Sequence, residues 1–272
     1  MKEEKVSPQS TEINTTPLSR REVGLLAEWE RARISSVTID DVRRLVGAPA
    51  KDVVKALARK GVLQRVGRGV YLVRPFRSLL RPTASSPVVA IAALLRERSY
   101  YLGGLWAFTH HRLTTQQYVS VLDAFVTRLR PPRDIGGARV IFHALPQRLM
   151  EYGLTTFISE GIAVRASDIE RTLLDVLDHP AIVGGVGRAL ALVQDGYPRS
   201  NPRRLVDYAV RGSRSSTCQR LGVLLERRNA PRRLLARLEV KIAGTRSLLS
   251  MLPDARRVGQ VNRRWRVVEN DR

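Results

Sequence analysis

The order of helix, strand and turn patterns in residues 19–77 is compatible with few folds. Apolar residues recur at helical spacing in three short segments, and two β-branched runs then flank the turn Gly67-Arg68-Gly69. Thr38 with Asp41 three residues later predicts the start of the second helix, and Gly47 predicts its end. The predicted inward stripes are Val23, Leu26 and Trp29, then Ile39, Val42 and Leu45, then Val53, Val54, Leu57 and Ala58.

Cationic residues occupy the outer side of the third helix and the hairpin that follows it. Lys51, Lys55 and Arg59 recur at i, i+4 and i+8, and Arg65 and Arg68 lie in the hairpin. Two helices, a short turn, a third helix and a hairpin form the order of a winged helix-turn-helix, whose second motif helix lies in the major groove of DNA. The pattern favours duplex DNA as the partner. A solvated basic helix beside a glycine hairpin, or a winged helix that binds protein, stays open as the alternative.

The formal net charge of +22 supports nucleic acid as the partner, because folded chains seldom carry such an excess unless a polyanion offsets it. The excess is concentrated at +9 in residues 20–81 and +13 in residues 199–272, whereas residues 1–19 carry −1 and residues 82–198 carry +1. Both charged regions are therefore expected to contact DNA. Besides the five cations named above, the predicted contacts are Arg43, Arg44, Arg220, Arg227, Arg228, Arg263 and Arg264.

The rest of the chain predicts an α+β fold. Two helices are expected at 88–98 and 100–111, strands at 118–126 and 138–145, a strand pair at 158–167 and a helix from Asp168 to Leu177. The predicted domains are a flexible leader (1–18), a winged helix-turn-helix domain (19–77), a linker (78–88), an α+β domain (89–198) and its basic, mostly helical C-terminal part (199–272).

No group of residues predicts catalysis or a cofactor. One cysteine, Cys218, excludes an internal disulfide and offers no metal-ligand set. Adjacent His110 and His111 diverge on a helix and are interpreted as structural or as a helix-end cap. In SDIERTLLD, Asp168 or Ser167 is expected to cap a helix and Arg171 to pair with a neighbouring acid. No apolar run approaches the length of a membrane span, so a protein without membrane attachment is expected.

Several separated segments resemble the AbiEi-type antitoxins of type IV toxin–antitoxin systems. They are GRGVYLV, YYLGGLWAFTHHRLTTQQ, SDIERTLLDVLDHP followed by Gly184-Gly185, CQRLGVLLE and NRRWRVVEN, and they fall between residues 19 and 269. The Gly-Ser followed by paired aspartates that marks the partner toxin is absent, since RSSTCQR follows Gly212-Ser213. The chain therefore resembles the antitoxin member.

The resemblance implies a cytoplasmic bacterial repressor that binds repeats in its own promoter. It further implies that the protein counteracts a nucleotidyltransferase toxin without forming a stable complex, and that residues 49–60 and 64–71 read the DNA. Two alternatives stay open. One is a DNA-binding nuclease using Glu239 and Lys241, and the other is an antitoxin that binds its toxin directly through the neutral middle domain.

Overall fold

The computed structural model describes residues 17–74, 85–96 and 98–271. Most of the leader predicted at 1–18 and most of the linker predicted at 78–88 lie outside the described residues. Of the helices described, none combines the length and hydrophobicity that crossing a lipid bilayer requires.

The chain divides into two compact units. As far as they are described, the first comprises Met1–Arg96 with Ile158–Ala163, and the second comprises Glu97–Phe157 with Val164–Arg272. Both helices and sheets are present, so the predicted α+β class is confirmed.

The first unit contains four described helices and a three-stranded sheet of order β1-β3-β2, in which both pairings are antiparallel. The three predicted helices and the hairpin are present, and β1 is an addition that pairs with β3. Helix α4 packs against β2 and β3 and groups with this unit, although its segment is predicted to open the middle domain. The elements are α1 (Arg20–Arg31), β1 (Ser36–Thr38), α2 (Ile39–Val46), α3 (Ala50–Arg59), β2 (Leu63–Gly67), β3 (Val70–Val73) and α4 (Pro87–Leu95).

Local capping chemistry sets the helix starts in the first unit. The Thr38 hydroxyl accepts from the Asp41 amide at 3.1 Å, while the Asp41 carboxylate accepts from the Thr38 amide at 2.7 Å. This reciprocal pair confirms the predicted cap of α2. Ser19 and Glu22 form the same arrangement at the start of α1.

The core of the first unit follows the predicted stripes with two corrections. Trp29, Val42 and Leu57 are buried together in its centre. Val23 and Leu45, predicted to face inward, are 48% and 46% exposed. Both helices are short and amphipathic, so a residue at the margin of the apolar stripe falls on the solvent side once the helix is rotated to bury its larger neighbours.

The second unit is built on a six-stranded mixed sheet of order β6-β7-β5-β4-β9-β8. Strands β5 and β7 are parallel, and β4 pairs antiparallel with β5 and parallel with β9. The tip of the β8–β9 hairpin, Ile158–Ala163, groups with the first unit. The strands are β4 (Tyr100–Gly103), β5 (Val121–Val126), β6 (Arg133–Ile135), β7 (Ala138–Ala144), β8 (Leu154–Ser159) and β9 (Ile162–Ser167).

One element of this sheet contradicts the sequence prediction. Residues 100–111 are not one helix, because Tyr100–Gly103 forms β4 and helix α5 (Gly104–His110) begins only afterwards. Aromatic residues favour a strand, and pairing on both sides buries all four residues of β4. The strands predicted at 118–126, 138–145 and 158–167 are present, with bounds shifted by a few residues.

Five helices form the remaining layer and share one hydrophobic core, in which Leu173, Leu205, Leu221, Leu238 and Trp265 are buried. The mostly helical C-terminal part is confirmed as far as Ile242. Beyond it, the prediction is wrong, because three short strands pair there instead. The elements are α6 (Ile169–Asp178), α7 (Val186–Gly196), α8 (Pro202–Gly212), α9 (Ser215–Arg227), α10 (Arg232–Ile242), β10 (Leu249–Ser250), β11 (Gln260–Asn262) and β12 (Val267–Glu269).

Candidate functional site

Helix α3 presents a cationic face to solvent. Val54 and Leu57 on its other side are buried in the core of the first unit, which fixes the rotation of the helix. Lys51, Lys55 and Arg59 are exposed on the outer side, as their spacing predicts. Among the residues that the structure describes, Lys51 and Lys55 make no ion pair. These ammonium groups are available to an external anion.

Two further predicted contacts lie on α2 and are engaged only at the surface. Arg43 bonds Asp40 at 2.5 Å, and Arg44 lies 3.5 Å from Asp41. Both arginine side chains are more than half exposed. Exposed pairs of this kind contribute about 0–1 kcal/mol, so either guanidinium can exchange its carboxylate for a phosphate at little cost.

The β2–β3 hairpin carries the last two predicted contacts of the first unit. Arg68 is exposed at the turn, and Gly69 after it has a φ of +72°, a conformation that favours glycine. Arg65 is exposed and donates its Nε–H to the carbonyl of Gly67 at 3.3 Å. The hairpin therefore carries two exposed guanidinium groups, that of Arg65 on β2 and that of Arg68 at the turn.

Not every cation of this unit belongs to that surface. Lys60 lies almost buried and contacts the Glu22 carboxylate at 2.6 Å. Burial alone would raise the pKa of Glu22, but the hydrogen bonds from Lys60 and from the Ser19 backbone hold it below its ordinary value. This pair ties the end of α3 to the start of α1 and so supports the orientation of the cationic face.

The predicted C-terminal contacts are mostly engaged inside the fold. Arg220 is partly buried and donates to the carbonyls of Met251 and Ser250, and Arg227 pairs with Glu269 at 2.5 Å and with Asp271 at 2.6 Å. Arg264 pairs with Glu226 at 2.6 Å and with Glu239. Arg228 is exposed but donates to the Gln194 carbonyl at 3.3 Å, and Arg263 is exposed. The charge of this region thus partly serves internal packing.

The nuclease alternative loses its structural basis. Glu239 and Lys241 lie on helix α10, where residues two apart point about 160° away from each other. Glu239 is also bonded to Arg264. Across the described part of the chain, no group of three or more His, Cys, Asp or Glu residues could hold a metal ion.

A buried polar network joins β4 to α6 in the second unit. Arg171 Nε donates to Asp175 at 2.7 Å, its NH2 group donates to the Tyr101 hydroxyl at 3.0 Å, and that hydroxyl donates to Asp175 at 3.0 Å. Burial raises the pKa of Asp175 to about 6 despite the neighbouring guanidinium. The predicted pairing of Arg171 is confirmed, as is the cap, since the Asp168 carboxylate accepts from the Arg171 amide.

The two adjacent histidines, His110 and His111, make contacts within the fold. His111 Nε2 lies 2.7 Å from the carbonyl of Ser167, and the His110 ring stacks on Trp106 and Phe157. Among the described residues, neither ring contacts a carboxylate.

Sequence reasoning missed a largely buried pair of a histidine and an aspartate. His143 Nε2 lies 2.7 Å from Asp123 Oδ1, and their side chains are only 21% and 8% exposed. The two residues are 20 positions apart and meet because β5 and β7 are parallel neighbours. No local spacing signals such a pairing. In the structure, Gly104 of the motif YYLGGLW lies so close to Asp123 that a Cβ there would collide with the Asp123 carboxylate.

Substitution Gly104→Ala should therefore destabilise the second unit by about 2–4 kcal/mol. The residue has a φ of +60°, which strains any L side chain, and the new methyl group would displace the Asp123 carboxylate. Gly137→Ala is the matched control, because Gly137 has a φ of +86° but nothing within 4 Å of a built Cβ. Urea unfolding of both variants separates the clash from the backbone strain, and equal losses would contradict the steric explanation.

Comparison with known proteins identifies a shared fold. No family model and no curated protein matches the chain. Among solved structures, the chain is similar to the RV2827C protein from Mycobacterium tuberculosis, with a TM-score of 0.64 and 17% identity over 93% of this chain and 92% of that one. At this identity, the likeness extends to the fold of nearly the whole chain and no further.

Proposed function

We propose that the first unit is a winged helix-turn-helix domain and that the protein is a DNA-binding transcriptional repressor. The observation that carries the proposal is the exposed cationic face of α3 beside the arginines of the β2–β3 hairpin. The helix order and the three-stranded sheet β1-β3-β2 support it. The net charge of +22 favours the same partner.

In this proposal α3 enters the major groove, where Lys51, Lys55 and Arg59 contact phosphates and base edges. Arg65 and Arg68 reach the flanking backbone or the minor groove from the hairpin. Arg43 and Arg44 supply further phosphate contacts by exchanging their surface carboxylates. The helix sets sequence preference, and the hairpin and α2 add affinity.

The C-terminal arginines take a smaller part than the net charge suggests. Contacts within the fold engage Arg220, Arg227 and Arg264. The remaining candidates for phosphate contact are Arg228 and Arg263. Deleting residues 199–272 would remove Leu205, Leu221 and Trp265 from the core. Single arginine substitutions are therefore the correct test of this region.

The wider role rests on the resemblance to AbiEi-type antitoxins. We propose that the protein acts in the cytoplasm as the antitoxin of a type IV toxin–antitoxin operon, without catalysis of its own. It represses its promoter at repeated sequences and counteracts a nucleotidyltransferase toxin without a stable complex. The functional partners are double-stranded DNA and that toxin, and no membrane partner or cofactor is proposed.

A binding assay with the DNA upstream of the protein's own reading frame tests the repressor proposal. Labelled duplexes covering this DNA are titrated with the full chain by fluorescence anisotropy, beside a shuffled duplex of equal composition. One region should bind at least about a thousandfold more tightly than the shuffled duplex. Equal affinity for every duplex would contradict sequence-specific repression.

The hairpin is tested separately in the same assay. The double variant Arg65→Ala/Arg68→Ala should weaken binding about 10- to 100-fold and by a similar factor on all duplexes, because phosphate contacts carry no sequence information. Arg139→Ala, an exposed arginine of the near-neutral middle region that pairs with Asp134, is the control for the loss of charge. A hairpin variant that binds as tightly as this control would place the hairpin outside the interface.

A further inference from the structure

The second unit contains a cavity of about 660 Å³ between β5, β7 and the short 3-10 helix Pro180–Val183 that follows α6. Its volume lies within the range of about 300–1,000 Å³ typical of small-molecule sites. Most of its wall is apolar, with Leu105, Val121, Ile141 and Ile182 among the lining residues. An apolar wall of this kind packs against the flat faces of a planar ring.

Polar groups converge at one side of this cavity. The Asp123–His143 pair lines it, and the contact of His143 Nε2 with the Asp123 carboxylate leaves Nδ1 of the imidazole for another partner. His179 also lines it, with its ring centroid 6.4 Å from that of His143. Within the described part of the chain, the His179 ring has aromatic contacts but no hydrogen bond.

The chemistry of His179 follows from its surroundings. Burial lowers the pKa of His179, so the ring is neutral near pH 7 and offers one donor and one acceptor. The adjacent Asp178 carboxylate accepts hydrogen bonds from three groups of the fold. These are the Ser213 hydroxyl at 2.7 Å, the Arg214 amide at 3.0 Å and the Thr217 hydroxyl at 2.7 Å.

A cationic rim lies beside these histidines. Arg214 is exposed and lines both this cavity and a second one of about 280 Å³, with which the first also shares Asp178 and His179. Arg148, likewise exposed, lines the second cavity. Guanidinium groups bind phosphate and carboxylate oxygens in bidentate geometry, so the shared end of the two cavities suits an anion.

We propose that these adjoining cavities bind a mononucleotide, a planar nitrogen heterocycle that carries a phosphate. The base lies in the apolar cavity with its polar edge against His143 and His179, and the phosphate lies at Arg214 and Arg148. The imidazole nitrogens pair with the alternating donors and acceptors of a base edge, whereas a purely apolar ligand would leave these nitrogens unsatisfied. This site is independent of the DNA surface proposed for the first unit.

Isothermal titration calorimetry of the full chain tests the proposal with each of the four ribonucleoside 5′-monophosphates at about 150 mM salt. At least one should bind with 1:1 stoichiometry and a Kd below about 1 mM. The matching nucleoside and inorganic phosphate should each bind at least about tenfold more weakly, because each occupies only one cavity. The absence of heat with all four nucleotides up to about 5 mM would overturn the proposal.

Three variants locate the site. Arg214→Ala removes the shared cation, and Val119→Trp places a large ring at a lining position whose side chain is 57% exposed. Each should weaken binding at least about tenfold, whereas Arg203→Ala, an exposed arginine of α8 that does not line the cavities, should leave it unchanged. Binding unaffected by both cavity variants would overturn the proposal.

The basic surface of the first unit provides the remaining control. The variant Lys51→Ala/Lys55→Ala/Arg59→Ala should bind the nucleotide as the wild type does. Loss of nucleotide binding in this variant would assign the ligand to the DNA surface and overturn the cavity site. Because these two sets of residues are separate, failure of the nucleotide proposal leaves the DNA proposal standing, and the reverse holds as well.

Discussion

Replacing Lys51, Lys55 and Arg59 together by alanine is expected to lower the affinity for duplex DNA by about two to three decades. Each side chain is exposed on one face of α3, so the substitutions remove charge without disturbing the buried face formed by Val54 and Leu57. A hydrogen-bonded contact at an exposed site contributes about 1–1.4 kcal/mol, so the loss of three contacts, about 3–4 kcal/mol in all, accounts for the expected factor. Anisotropy titration with the cognate duplex measures it.

Salt dependence gives this prediction a second and sharper readout. If six to ten phosphates are neutralised in all, wild-type affinity should fall by about three to five decades between 50 and 200 mM salt. The triple variant should show a log–log slope smaller by about three, since each lost phosphate contact removes about 0.9. A wild-type affinity indifferent to salt would reject the electrostatic interface. An unchanged slope in the variant would move the interface away from α3.

The parts of the fold that follow from short-range chemistry could be predicted from the sequence. Thr38 and Asp41 are three residues apart, and Gly67 and Gly69 directly flank Arg68, so the cap and the turn depend on few distant contacts. The cationic face of α3 was predictable for the same reason, because helical periodicity alone brings Lys51 and Lys55 together.

The parts that depend on long-range pairing were not predictable. Tyr100–Gly103 is a strand because β5 and β9 lie on both sides of it, which no window of local sequence reveals. Asp123 and His143 meet across a parallel pairing whose register the sequence does not signal. The acids that engage Arg227 follow it by more than 40 residues, so a charge count treats the arginine as available when it is not.

Removing Arg171 alone is expected to destabilise the second unit by about 3–5 kcal/mol, because Asp175 would remain as a buried carboxylate without its cation. Arg171→Met is the variant of choice, since Met keeps much of the volume. The double variant Arg171→Met/Asp175→Leu should recover part of the loss, because no charge is then buried without a partner. Urea unfolding, fitted with a separate transition for each unit, measures both. A loss of stability in the double variant equal to the sum of the losses in Arg171→Met and Asp175→Leu would contradict the coupling between the two residues.

The pH dependence of the same variants distinguishes a charge effect from a packing effect. In the wild type, the raised pKa of Asp175, about 6 against about 3.9 when unfolded, means that the folded state binds more protons between these values. This carboxyl therefore contributes stability at low pH that is lost as the pH rises from about 4 to 6. Without Arg171 its pKa rises further, so the deficit of Arg171→Met relative to wild type should shrink as the pH is lowered towards 5 and Asp175 is neutralised. A deficit caused by lost packing alone would stay constant over that range, because the volume removed does not titrate.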